Sequence, residues 1–194
     1  MYLIGITGSI GSGKTTLANI VKNLGYEVYD VDDWVRKIYN NELFLEQLKI
    51  KFPESFSNGQ FNKRYLRETV FKDKVKLKTL EGLIYPILDN KIETIIYENL
   101  KNKKIAFLDI ALLFEKGWDK YCDFIILADA DYDLRKKRVM ERDNVSAENF
   151  DQIDKVQISN EKKKDKVDVV INTDKSIDFL REEMINLLKS INGE

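Results

Sequence analysis

Gly8-Ser9-Ile10-Gly11-Ser12-Gly13-Lys14-Thr15 has the spacing G-x-x-x-x-G-K-[ST], and that spacing serves the holding of a polyphosphate. Glycines let the backbone curl until successive N–H groups face phosphate oxygens, and the helix that follows adds its positive end. Gly8, Gly11, Ser12 and Gly13 supply the curve, and Lys14 brings a cation to the terminal phosphates. Thr15 places a hydroxyl for Mg²⁺, and Thr16 is a further donor for the inner phosphates. Phosphoryl transfer also needs a carboxylate near the attacking hydroxyl and cations on the migrating group. Asp32 is the candidate carboxylate, orienting the hydroxyl and taking its proton late; the plainer reading is that Asp30 or Asp32 caps the next helix. Asp109 closes an apolar run, either as the metal-side acid at a strand end or as an ordinary strand-terminating aspartate. Arg36 shares a helical face with Asp32, to grip an acceptor phosphate or to pair with Asp32. Arg135, Arg138 and Arg142 fall on one helical face, where guanidinium groups either stabilise charge on the transferring phosphoryl or stay solvated.

These residues need a scaffold that brings strand ends together. Apolar runs at 2–7, Glu27–Asp30, Ile105–Asp109, Asp123–Ala128 and Val167–Ile171 alternate with helical patterns over 14–24, about 131–142 and the tail. Short apolar strands separated by helices indicate a parallel sheet covered on both faces, with ligands beyond the carboxyl ends of the strands. The expected fold is α/β: a three-layer P-loop NTPase arrangement with a parallel sheet of about five strands, a helical insert and a lid. One domain spans 1–194, with the insert at about 33–100 and the lid at about 138–166. The insert reads as helical, with breaks at Pro53, at Ser57-Asn58-Gly59 and at Pro86.

Composition removes competing chemistries. The 194 residues contain no histidine and one cysteine, Cys122, which excludes imidazole catalysis, an internal disulfide and a thiolate zinc cage. With 32 basic and 33 acidic side chains, a net charge of −1 argues against a nucleic-acid partner. The opening Met-Tyr-Leu-Ile-Gly-Ile-Thr lacks the basic flank of a signal peptide, and no uncharged run is long enough to span a bilayer. The expectation is a cytoplasmic monomer without a membrane partner.

Taken in order, the motifs resemble the dephospho-CoA kinase family over nearly the whole chain. The resemblance rests on Ile4-Gly5-Ile6-Thr7 leading into the glycine loop, Asp30-x-Asp32-x-x-x-Arg36, Leu112-Leu113-Phe114-Glu115, Arg138-x-x-x-Arg142-Asp143, Gln157, and Asp168-Val169-Val170-Ile171-Asn172-Thr173. It implies transfer of the ATP γ-phosphate to the ribose 3′-hydroxyl of dephospho-CoA. On that reading Asp32 is the base, Arg36 and the insert grip the acceptor, and Arg142 belongs to the lid. Tyr85, Leu112 and Gln157 lie on the acceptor side, Arg138 on the nucleotide side, and residues 172–174 border the adenine of ATP. Two positions depart from the family pattern: Tyr85-Pro86 stands where His-Pro is usual, and Ala111 where a proline precedes Leu-Leu-Phe-Glu.

Another nucleoside or nucleotide kinase would share cradle, carboxylate and lid. A GTP-dependent switch would need Asp-x-x-Gly after the third core strand, but Asp109 is followed by Ile110-Ala111-Leu112. Its Asn-Lys-x-Asp string is also missing, since Asn90-Lys91-Ile92-Glu93 lies in the insert and ends in glutamate.

Overall fold

The computed structural model describes residues 2–102 and 104–193. They divide into two compact units, one taking the chain up to Asp30 and from Asn99 onward, the other Val31–Glu98.

The first unit is built on a five-stranded parallel sheet: β1 (Tyr2–Thr7), β2 (Glu27–Asp30), β5 (Ile105–Asp109), β6 (Phe124–Asp129) and β7 (Val169–Asn172), in the order β2-β5-β1-β6-β7. Helix α1 (Lys14–Asn23) follows the glycine loop, and α9 (Ile177–Asn192) closes the unit. Ile4, Ile6, Phe107, Ile126, Ala128 and Ile171 give this sheet face an apolar surface, which Leu17, Val21, Leu180, Met184 and Leu188 cover. Parallel strands buried in this way read as continuous apolar runs, which is why they were visible in the sequence. Register puts the carboxyl ends side by side: Ile6 and Asp30 both pair with Asp109, and Asp129 pairs with Asn172. Helices α6 (Tyr132–Asp143), α7 (Ala147–Val156) and α8 (Asn160–Lys164) fill the stretch between β6 and β7.

The second unit holds α2 (Val31–Ile38), α3 (Glu42–Lys51), α4 (Lys63–Lys72) and most of α5 (Lys74–Asn102). Two details differ from the sequence reading. The Asn58-Gly59 turn, with φ of 50° and 79°, joins two short antiparallel strands, β3 (Phe56–Ser57) and β4 (Gln60–Phe61). Positive φ at both turn residues suits the twist of a tight hairpin, and the Phe56 and Phe61 rings meet across it at 5.3 Å. The break expected at Pro86 is absent, because α5 runs through it. Proline removes one donor and crowds the carbonyl four residues back. That carbonyl belongs to Gly82, and Gly82 and Pro86 both lie on the exposed side of α5, where the group that loses its donor faces water.

Candidate active site

The cradle begins where β1 ends and α1 starts. Gly13 precedes the helix with φ of 84°, and no side chain caps the first turn. The first helical bonds are those of Thr16 and Leu17 N–H to Gly13 O, which leaves the N–H groups of Gly13, Lys14 and Thr15 outside the helical ladder, the arrangement that suits an anion. Glycine is required at Gly11 and Gly13, where φ is 79° and 84°. A Cβ at Gly11 would lie 2.5 Å from Arg135 O, and one at Gly13 would lie 2.7 Å from Thr173 Oγ1. Ser12 Oγ is buried and has no partner among the described residues.

Lys14 forms an ion pair with Asp109, with side-chain exposures of 12% and 6%. The lysine at the helix start and the acid at the end of β5 therefore meet beneath the cradle. Low exposure keeps this contact in a low-dielectric setting, where a charge without its partner is costly. The Thr15 side chain is exposed in the first turn of α1. Thr15 and Asp109 offer a hydroxyl and a carboxylate, hard oxygen donors suited to Mg²⁺, which takes one or two protein ligands alongside phosphates and waters. Among the described residues no group of three or more His, Cys, Asp or Glu could cage a metal by itself.

The arginines of α6 part company. Arg135, 8% exposed, donates to Ile10 O at 3.1 Å and to Asp154 Oδ1 at 2.6 Å. Arg138 donates to Thr173 Oγ1 and Thr173 O at 3.0 and 2.8 Å, and to Gly11 O at 3.4 Å. Both thus hold carbonyls of the cradle and its neighbours. Arg142 is 61% exposed and makes a two-point contact with Asp143, 2.7 Å for each bond. The Arg142 guanidinium holds the Asp143 carboxyl below its usual range. Thr173 is buried and donates to Ser12 O at 2.7 Å, while Asn172 Oδ1 accepts from Asp174 N–H. Leu112 is half-buried in the turn after β5, and its carbonyl accepts from Lys116 N–H. Gln157, placed by the resemblance on the acceptor side, accepts from Ile10 N–H of the cradle at 2.8 Å. Asn160, unnoticed in the sequence, accepts from Ser9 N–H and Ser9 Oγ at 3.0 and 2.8 Å. No local pattern could have revealed it, because the contact closes across 151 residues.

In the helical unit, Asp32 is exposed in the first turn of α2, whose opposite side buries Val31, Trp34 and Ile38. Arg36 Nη2 donates to Asp33 Oδ1 at 3.2 Å, and Lys37 pairs with Asp33 at 2.6 Å. The hydrogen bond from Lys37, with Arg36 assisting, pulls the Asp33 carboxyl below its usual range. Tyr85 is half-buried on α5 and its hydroxyl donates to Glu81 Oε1 at 2.7 Å. Burial first, and Glu81 second, push this phenol well above its usual range.

Comparison with known proteins points one way. The family model described as dephospho-CoA kinase matches residues 2–178. A dephospho-CoA kinase of Bartonella henselae is 36% identical over 192 residues, 98% of each chain. A solved structure from Thermus thermophilus superposes with a TM-score of 0.84 at 33% identity, covering 97% of each chain. The dephospho-CoA kinase of Campylobacter jejuni gives 0.72 at 28% identity, covering 97% of this chain and 96% of its own.

Proposed function

The chain belongs to the dephospho-CoA kinase family, and from that premise we propose that it transfers the γ-phosphate of ATP to the ribose 3′-hydroxyl of dephospho-CoA, releasing coenzyme A and ADP. The observation that carries the reading is the cradle over the Lys14–Asp109 pair, within a chain matched to that family over residues 2–178. Cradle N–H groups and the start of α1 hold the donor phosphates, and Lys14 follows negative charge as it moves to the leaving and migrating oxygens. Thr15 and Asp109 are the residues to hold Mg²⁺, which would neutralise phosphate charge when bound. Asp32 orients the 3′-hydroxyl and accepts its proton late, and Arg36 and Tyr85 bind the acceptor. Arg142, exposed at the end of α6, is the lid arginine, free in reach to turn from Asp143 to a phosphate. Thr173 and Asn172 border the adenine, the first from a buried position behind Gly13.

The reading includes a monomer in the cytoplasm, in keeping with a single cysteine. Among the described residues no helix is long and apolar enough to cross a membrane. Incubation with ATP, Mg²⁺ and dephospho-CoA, followed by mass spectrometry, should yield coenzyme A in step with ADP. Equal phosphorylation of an unrelated nucleoside would move the assignment to another acceptor, and sedimentation would settle the oligomeric state.

A further inference from the structure

The curl of a phosphate loop is not maintained by glycine, which permits it without enforcing it. In this chain Arg135, Arg138 and Thr173 hold carbonyls of the loop, and the short stretch that ends α7 and forms α8 holds its N–H groups. Gln157 Oε1 takes Ile10 N–H at 2.8 Å. Asn160 Oδ1 takes both Ser9 donors, while its amide nitrogen donates to Ala128 O at 3.2 Å and Asp129 Oδ1 at 2.7 Å. An amide with 8% exposure and four such bonds has one orientation, and so does the loop it holds.

Lys163 lies in the same stretch and has no exposed side-chain surface. It pairs with Glu115 Oε1 at 3.2 Å and reaches Ala111 O at 3.4 Å, just past Asp109. Glu115 Oε1 also accepts from Ile158 N–H at 2.7 Å, whereas its Oε2 is buried without a partner among the described residues. Burial presses the Lys163 ammonium below the usual lysine range, and Glu115 opposes that shift. A buried pair with an orphan oxygen adds little net stability, because desolvation offsets the attraction. What it does is join the turn after β5, which presents Asp109, to the stretch that holds Ser9 and Ile10.

We propose that Gln157, Asn160 and Lys163 are positioning residues of the donor site, holding the phosphate loop and the Asp109 turn in one frame without themselves touching phosphate. The inference rests on the phosphate-donor reading of the cradle and departs from the acceptor role that the resemblance implies for Gln157. Titration calorimetry with ADP, melting curves and separate KM values for ATP and dephospho-CoA test it on two variants. Gln157→Met keeps the length of the side chain but removes the acceptor for Ile10 N–H. Lys163→Met with Glu115→Gln removes both buried charges and retains an oxygen for Ile158 N–H, so that neither is left unpaired. Each should weaken ADP about tenfold and raise the KM for ATP to match. The melting temperature should hold within a few degrees, and the KM for dephospho-CoA within about twofold. Wild-type affinity for ADP in both folded variants would overturn the brace. So would a Gln157→Met enzyme altered only in its KM for dephospho-CoA. Because ADP binding needs no acceptor, a wild-type protein that binds ADP but leaves dephospho-CoA unphosphorylated counts against the proposed reaction and not against the brace.

Discussion

The cradle and the helical unit treat their polar groups in opposite ways. Around the cradle, Asp109, Arg135, Asn160 and Thr173 are each under a tenth exposed, and each is fixed by a contact that crosses a long stretch of chain. On α2, Asp33 pairs with Arg36 and Lys37, whose side chains are 63% and 67% exposed. Exposed pairs of long side chains contribute little and rearrange readily. The difference teaches where preorganisation sits. Phosphate donors and their dipoles work best when no reorganisation is left to the moment of reaction. On the proposed acceptor side, groups held in water would keep their rotamer freedom until substrate arrives and lose it on binding.

Substitutions can break or sharpen that contrast. Lys14→Ala should have the largest effect, lowering kcat/KM on the order of 10³-fold, because it removes the cation proposed for the phosphates and the ion-pair partner of the buried Asp109. Asp32→Asn should lower kcat about 10²–10³-fold while ADP affinity by calorimetry stays as in the wild type; equal loss of affinity would erase the distinction between the two sides. Gly13→Ala forces a side chain into a left-handed position against Thr173, at about 1–3 kcal/mol by chemical denaturation. It should also weaken ADP. Tyr85→His should change the KM for dephospho-CoA only a few-fold, yet give the pH profile a new inflection near an imidazole pKa of about 6.5. A smooth profile through that range would show that this position does not face the acceptor. Arg64→Ala, which removes an exposed pair with Glu68, should leave the melting temperature within about 1 °C and every kinetic constant unchanged.

Much of this was legible in the chain. The apolar runs that became β1, β5 and β6 carried their own signal, because both faces of a parallel sheet are buried. The glycine loop was equally plain, since its chemistry requires glycine, lysine and threonine at fixed spacing. Asp109 was a matter of position alone, and its pairing with Lys14 needed β1 and β5 to be neighbours. The arginines of α6 were harder. Spacing put Arg135, Arg138 and Arg142 on one face, but it could not tell a guanidinium for phosphate from one that holds the loop's carbonyls. Pro86 misled for a different reason: it sits on the exposed side of a helix of 29 residues, and the rest of that helix carries on around it.

By itself, then, the sequence determined which backbone could curl around phosphates and which runs would be buried, because glycine permissiveness and apolar periodicity are local properties. Only the tertiary structure decided that Asn160 and Gln157 grip that curl, that Lys163 meets Glu115, and that two of the three arginines face inward. Those contacts join residues far apart in the chain, and a hydrogen bond between distant partners leaves no periodic trace in either segment.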